Sequence, residues 1–340
     1  MTAFDPDSAA RPDSGIYGLS SAPEDSRVVL IPVPFEATTS YGGGTADGPQ
    51  AIFEASKQVD LFDLDTGRPY EQGIAMLPQP ASVRAWNDEA KRLAAPIIAS
   101  GGTESDPQAL ARINALCEQM NQWVYETARH WIGCGKLVGL VGGDHSTPFG
   151  TIRAHALQYP GLGILHLDAH ADLRDAYEGF EWSHASIMHN VMERIPQVGR
   201  LVQVGIRDFG EGEYQYIQAS KGRIETFFDA SLARERDAGA SWHSQVERII
   251  AALPRDVYLS WDIDGLDPTL CPGTGTPVPG GLSFSQAVGL LEGLVRSGRR
   301  IVGFDLNEVA PGPDGGEWDA NVGARLLYKQ IGYALRSAYG

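Results

Sequence analysis

Residues 162–172 read LGILHLDAHAD. The stretch opens as an apolar run of strand length and closes on Asp168, His170 and Asp172, spaced two apart. Side chains alternate along extended chain, so these three can project to one side at the end of a buried strand. Runs of the same kind lie at 27–33, 136–141, 201–206, 257–261 and 301–306. Each is short, partly β-branched and apolar on both faces, which marks strands of a covered, mainly parallel sheet. Apolar residues at helical spacing over 107–132, 241–253, 283–297 and 321–338 separate several of these runs. Strands alternating with helices predict βαβ units and a doubly wound α/β sheet. Residues 68–106, punctuated by Pro and Gly, show no clear period and read as a long excursion near the sheet edge.

The remaining bulk properties narrow the function. The chain has 340 residues and no internal repeat or linker after residue 26. That predicts one domain over 27–340, behind a flexible arm at 1–26 rich in Asp, Ser, Pro and Ala. The net charge is −16, from 43 acids against 27 bases. Nucleic acid and anionic membranes need a basic face and are excluded as partners, whereas cations are drawn inward. Cys117, Cys134 and Cys271 form no C-x-x-C pair, and reduced thiols of this kind suit the cytoplasm. The first residues are polar and acidic, unlike a signal peptide, and no apolar run nears the roughly 20 residues of a membrane span.

Polar residues follow four of the strand runs at once. They are Gly142-Gly143-Asp144-His145, the Asp168–Asp172 stretch, Asp262-Ile263-Asp264 and Asn307-Glu308. Ligands of open α/β sheets bind outside the carboxyl ends of strands, so these loops converge on one crevice. Alone, a D-x-D is commonly a turn or a helix cap. Together, Asp168, Asp172, Asp262 and Asp264 with His145 and His170 make a set of four carboxylates and two imidazoles. Gathering such acids without counter-charge would be prohibitively costly. Two divalent cations would cancel the charge. Carboxylate with imidazole and no thiolate suits Mn, Ni, Co or Zn. Bridging carboxylates would hold such ions about 3.5–4 Å apart.

Three segments carry a specific resemblance. Gly142-Gly143-Asp144-His145-Ser146, Asp168-Ala169-His170-Ala171-Asp172 and Ser260-Trp261-Asp262-Ile263-Asp264-Gly265-Leu266-Asp267-Pro268 resemble, in order, the three signatures of the ureohydrolases, the arginases and agmatinases. The match extends to residues 273–277 and to Asn307-Glu308, and spans about 28–335. The resemblance implies a three-layer α/β/α fold, two divalent ions per chain (Mn or Ni), and hydrolysis of a guanidino group to urea and an amine. It implies that one ion takes His145, Asp168, Asp172 and Asp262, and the other Asp168, His170, Asp262 and Asp264. It gives Asp172 the handling of the attacking water and its proton, Glu308 the guanidinium, and His184 proton transfer. It also implies a homo-oligomer, a trimer or hexamer, with a mixed oligomer including a sister chain as an alternative. His166 and His189 read as structural.

Substrate choice is written less clearly. Residues 178–186, EGFEWSHAS, lack the Asn-rich loop by which arginases hold an amino-acid end, and look like agmatinases. A substrate without an α-carboxylate follows. Residues 38–45 and 317–325 resemble a divergent branch that includes nickel-dependent hydrolases of free guanidine and biguanides. Phe180, Trp182 and Trp318 either narrow the pocket for a short substrate or pack in the core. The run Gly42-Gly43-Gly44 is no phosphate loop and reads as a close backbone approach to the site. Two rival readings share these residues. One is a deacetylase on a related scaffold, which would use one catalytic metal and fewer carboxylates. The other is a ligand-complete but non-catalytic partner subunit.

Overall fold

The computed structural model describes residues 5–102, 106–312 and 315–339. Residues 1–4 of the expected arm, 103–105 of the excursion, and 313, 314 and 340 of the expected domain lie outside the described residues. The strands are β1 (Val28–Val33), β2 (Ile74–Met76), β3 (Leu137–Gly142), β4 (Leu162–Leu167), β5 (Val198–Ile206), β6 (Ile224–Phe228), β7 (Asp256–Trp261) and β8 (Arg300–Leu306). They form one eight-stranded sheet in the order β2-β1-β3-β8-β7-β4-β5-β6. Every pairing is parallel.

The helices are α1 (Gly48–Ser56), α2 (Ala81–Ala99), α3 (Pro107–Gly133), α4 (Phe149–Gln158), α5 (Ile187–Arg194), α6 (Glu211–Ala219), α7 (Asp229–Asp237), α8 (Trp242–Ala251), α9 (Phe284–Arg296) and α10 (Trp318–Tyr339). Two separate apolar cores cover the two faces of the sheet. Helices α1, α7, α8, α9 and α10 supply one, and α2 to α6 the other. This is the three-layer, doubly wound α/β/α architecture expected. Strands β3, β8, β7 and β4 are neighbours in the sheet, so the polar loops that follow them open side by side at its carboxyl edge.

Two strands escaped the sequence reading, and both are edges. Strand β2 has only three residues, and β6 is half-buried along most of its length, so neither shows a continuous apolar run. The excursion does reach the sheet edge through β2, but it also holds the 19-residue helix α2, which packs on α3. Its buried face is Val83, Asn87, Ala90, Ala94 and Ile97. The spacing is helical, but small and polar side chains hide it, and Pro96 sits inside the helix. Part of the expected arm is also fixed: Ile16, Tyr17 and Leu19 are buried in the core. The Tyr17 hydroxyl donates to Ala324 O at 3.0 Å, and its N–H to Ser56 Oγ at 2.8 Å, so the segment packs on α10 and α1 of its own chain.

Candidate metal centre

Strand β4 ends by delivering Asp168, and the chain then turns sharply. Asp172 adopts φ +55, in the left-handed region that a non-glycine residue rarely enters. Its carbonyl accepts the N–H groups of Met188 and His189 at 3.0 and 3.1 Å, which holds the turn against α5. Strand β7 delivers Asp262, whose Oδ1 accepts the Asp264 N–H at 2.8 Å and starts a tight turn. Strand β3 leads through Gly142-Gly143 to His145. A side chain at Gly143 would lie 2.1 Å from Phe35 O, so only glycine fits there.

These turns bring the six residues together. His145 Nδ1 lies 3.0 Å from Asp168 Oδ2, 3.3 Å from Asp172 Oδ2 and 3.5 Å from Asp262 Oδ2. His170 Nδ1 lies 3.1 Å from Asp264 Oδ2 and 3.5 Å from Asp168 Oδ1. Asp168 therefore turns one oxygen to each imidazole. Two groups of donor atoms result, each within 4.8 Å of one another: His145, His166, Asp168 and Asp172, and then Asp168, His170 and Asp264. Asp168 is common to both.

The electrostatics fit cations. Among the described residues no Lys or Arg pairs with these four carboxylates. Burial, then the Asp168 charge, pushes Asp172 up to about 7. Burial and the charges of Asp264 and Asp168 push Asp262 well above the usual carboxylate range. Against burial, the Asp264 and Asp168 charges lift His170 to about 12. Left to itself the nest would gather protons, and divalent ions bound to these oxygen and nitrogen donors would take their place. The residues present thus suit two such ions.

Glu308 follows β8 at φ +62 and is buried. Its Oε1 accepts the His145 N–H at 2.9 Å, and its own N–H donates to Gly143 O at 2.7 Å. Burial and the charges of Asp262 and Asp144 push it well above its usual range, an imbalance a guanidinium would relieve. His184 joins His170 and Asp172 in lining a crevice of about 180 Å³, with Ser40, Asp208 and Thr276. Burial, then the neighbouring His170 charge, lowers His184 to about 4. Gly42 at φ +72 lets the loop carrying Ser40 close on Gly275, which a side chain would meet at 2.8 Å.

Two polar neighbours of the nest had no site role in the sequence reading. His166, read as structural, reaches Asp168 Oδ2 from Nε2 at 2.8 Å. Ser260 Oγ lies 3.0 Å from His145 Nε2 and donates to Asp305 Oδ1 at 3.1 Å. The signal was present as a single polar residue inside each otherwise apolar strand. Phe180 and Trp182 are buried in the core, Trp182 against Phe149, and Trp318 is exposed, its Nε1 donating to Thr269 O.

The arginase family model matches residues 26–332. The chain belongs to the arginase family. It is an amidinohydrolase, a ureohydrolase of the agmatinase-like kind, and the deacetylase reading falls away. It is 33% identical to the N(1)-aminopropylagmatine ureohydrolase of Thermus thermophilus, over 93% of this chain and 94% of that one. It is 29% identical to the guanidinobutyrase of Pseudomonas aeruginosa, over 89% and 84%. Its fold matches the proclavaminate amidinohydrolase of Streptomyces clavuligerus with a TM-score of 0.75 at 22% identity, covering 97% of this chain and 99% of that one. No helix among the described residues is long and apolar enough to cross a membrane.

Proposed function

We propose that this ureohydrolase cleaves a small guanidino compound that lacks an α-carboxylate and carries an amine tail, releasing urea and an amine, at two divalent ions (Mn or Ni). The carrying observation is the pair of donor groups that share Asp168, with Asp262 3.5 Å from His145 and no basic partner for the four acids among the described residues. His145, Asp168, Asp172 and Asp262 would hold one ion, and Asp168, His170, Asp262 and Asp264 the other. Bound there, the ions would lower the pKa of water from about 15.7 to about 7 and so supply the nucleophile.

The chain's own groups do the rest. Glu308 receives the planar guanidinium by charge-assisted hydrogen bonds. Asp172 accepts the proton released as the new C–O bond forms and passes it to the leaving nitrogen as the C–N bond breaks. His184, at the crevice, exchanges protons with solvent. Asp208 supports the amine tail: it lines the crevice, and among the described residues its carboxylate has neither a basic partner nor a hydrogen-bond donor. With Phe180 and Trp182 held in the core, the features that favoured a very short substrate are spent elsewhere. The relative acting on aminopropylagmatine favours the same choice.

In the same proposal the catalytic domain spans 27–340 and works in the cytoplasm as a homo-oligomer, a trimer or hexamer. One panel tests the reading: agmatine, aminopropylagmatine, guanidinobutyrate, arginine, free guanidine and dimethylbiguanide, each with Mn or Ni, read as urea formed. Amine-tailed compounds should react fastest. Fastest turnover of free guanidine would refute the tail, and no urea from any compound would refute the activity.

A further inference from the structure

A row of polar side chains crosses the sheet one pleat beneath the metal nest. Thr226 on β6 is in register with Gln203 on β5, Gln203 with His166 on β4, and His166 with Ser260 on β7. Gln203, His166 and Ser260 are wholly buried. Each lies in a strand that is otherwise apolar nearly throughout, where an unpaired polar group would be costly. His166 also sits two residues before Asp168, on the same side of its strand.

The hydrogen bonds along this row leave one solution. Ala171 O can only accept, and it lies 2.7 Å from Gln203 Nε2. That fixes the carboxamide, with its NH2 toward Ala171 and His166 and its Oε1 taking the Thr226 hydroxyl proton at 2.9 Å. The same Gln203 Nε2 lies 3.0 Å from His166 Nδ1. Facing a donor, Nδ1 must present its lone pair. A neutral imidazole then carries its proton on Nε2, which points at Asp168 Oδ2 from 2.8 Å. The alternative tautomer would set N–H against N–H at Gln203. It is the one tautomer in which Nε2 could bind a metal ion, although Nε2 lies close enough to the other donor atoms to do so.

We infer that His166 is a positioning residue: held by Gln203 in the Nε2–H tautomer, it donates to Asp168 and fixes the carboxylate shared by the two halves of the nest. The inference rests on the metal-centre reading proposed above. The relay adds a second anchor to this acid: Oδ1 already accepts the His170 backbone N–H at 2.6 Å, and the His166 N–H fixes Oδ2, which also faces His145 Nδ1 at 3.0 Å. Because Gln203 also holds Ala171 O, the same carboxamide ties the backbone between His170 and Asp172 to the sheet. Partners of this kind typically change metal affinity by about 10–100-fold when removed.

Two measurements test it. In the metal-free chain, nitrogen NMR of labelled histidine should find His166 Nδ1 unprotonated and Nε2 protonated; the reverse pattern would overturn the relay whether or not ions bind. Calorimetric titration with Mn should show His166→Leu and Gln203→Leu weakening metal binding by about tenfold or more, with a native circular dichroism spectrum at the titration temperature as the control for folding. His166→Gln, whose amide N–H reaches the place of Nε2–H, should recover most of that loss. Wild-type affinity in His166→Leu would overturn the inference. So would equal loss of one ion from both the Leu and Gln variants, because His166 would then be a ligand. Absence of binding by the wild-type chain would instead remove the metal-centre reading on which the inference stands.

Discussion

Glu308 Oε1 accepts the backbone N–H of His145 at 2.9 Å, so the acid at the end of β8 and the imidazole at the end of β3 form one unit. Both Glu308 and Asp172 hold positive φ, among five non-glycine residues that do so in the described chain. Strained backbone of this kind persists only where its surroundings over-determine it. At Glu308 they do: Gly143 O holds its N–H, and Thr274 Oγ1 donates to its carbonyl at 2.8 Å.

This arrangement separates two consequences of changing Glu308. Glu308→Gln keeps an oxygen for the His145 N–H but removes the negative charge. It should lower kcat/KM more than tenfold, the scale of a lost charge-assisted contact, while metal affinity stays near wild type. Glu308→Ala should also loosen His145 and weaken metal binding. Urea-release kinetics beside metal titration read the two effects apart, and a Gln variant within twofold of wild type would make Glu308 a bystander.

Asp264 tests the nest from the other side. Its Oδ2 faces His170, and its Oδ1 accepts the Ala169 N–H at 3.0 Å, so it holds both a ligand and the loop that carries one. Asp264→Ala should abolish urea release and lower the metal content per chain in elemental analysis, with the circular dichroism spectrum of the folded chain retained. Full activity in this variant would remove the two-ion assignment.

Glu36 shows what α2 does for the site. Its Oε2 accepts from Gly44 N, Thr45 Oγ1 and Ala46 N at 2.7, 3.0 and 3.1 Å, while Lys91 of α2 pairs with Oε1. Asn87 of α2 accepts the Glu36 N–H at 2.7 Å. Burial opposes the charged carboxylate, but Lys91 and these donors win and hold it below its ordinary value of 4.5. A depressed pKa means that the folded state binds the proton more weakly than the unfolded state. The stabilisation is therefore present above pH 4.5 and is lost as pH falls through the folded value. Glu36→Gln should cost about 2 kcal/mol at pH 7 in urea denaturation. The gap from wild type should narrow as the pH drops below 4.5. A gap that widens in acid would contradict the assignment.

The central strands and the site acids were legible because both are written in contiguous residues: apolar runs with acids and imidazoles at their ends. Helix α2 was not, because its inner face is built from Ala90, Ala94 and Asn87, which carry almost no hydrophobic contrast. The polar row failed for a different reason. His166, Gln203 and Ser260 meet only across strands whose order is β7-β4-β5. A single sequence shows each as an isolated polar residue in an apolar run, and register alone makes them neighbours. Asp305 is the plainest case. It lies inside β8, fully buried, accepting the Trp261 N–H at 2.9 Å as well as the Ser260 hydroxyl.

The substrate tail can be tested through Asp208. Its N–H donates to Ala169 O at 3.0 Å and its residue pairs with His170 in a short parallel bridge, so the backbone is fixed to the metal loop. The nearby base Arg174 is committed, its Nε 3.6 Å from Glu213 Oε2 and its guanidinium over the Tyr177 ring. Among the described residues that line the crevice, Asp208 is thus an unpaired carboxylate, which the proposed cationic tail would meet, and its exposure to solvent limits what one charge can contribute. Asp208→Asn should raise KM for agmatine with little change in kcat, because the tail binds equally in the ground and transition states. The preference for agmatine over guanidinobutyrate, taken as the ratio of kcat/KM values, should fall roughly five- to thirtyfold, the equivalent of about 1–2 kcal/mol. Asp208→Lys should reverse the preference toward the carboxylate-tailed compound. An unchanged ratio in both variants would show that the tail is read elsewhere or not at all.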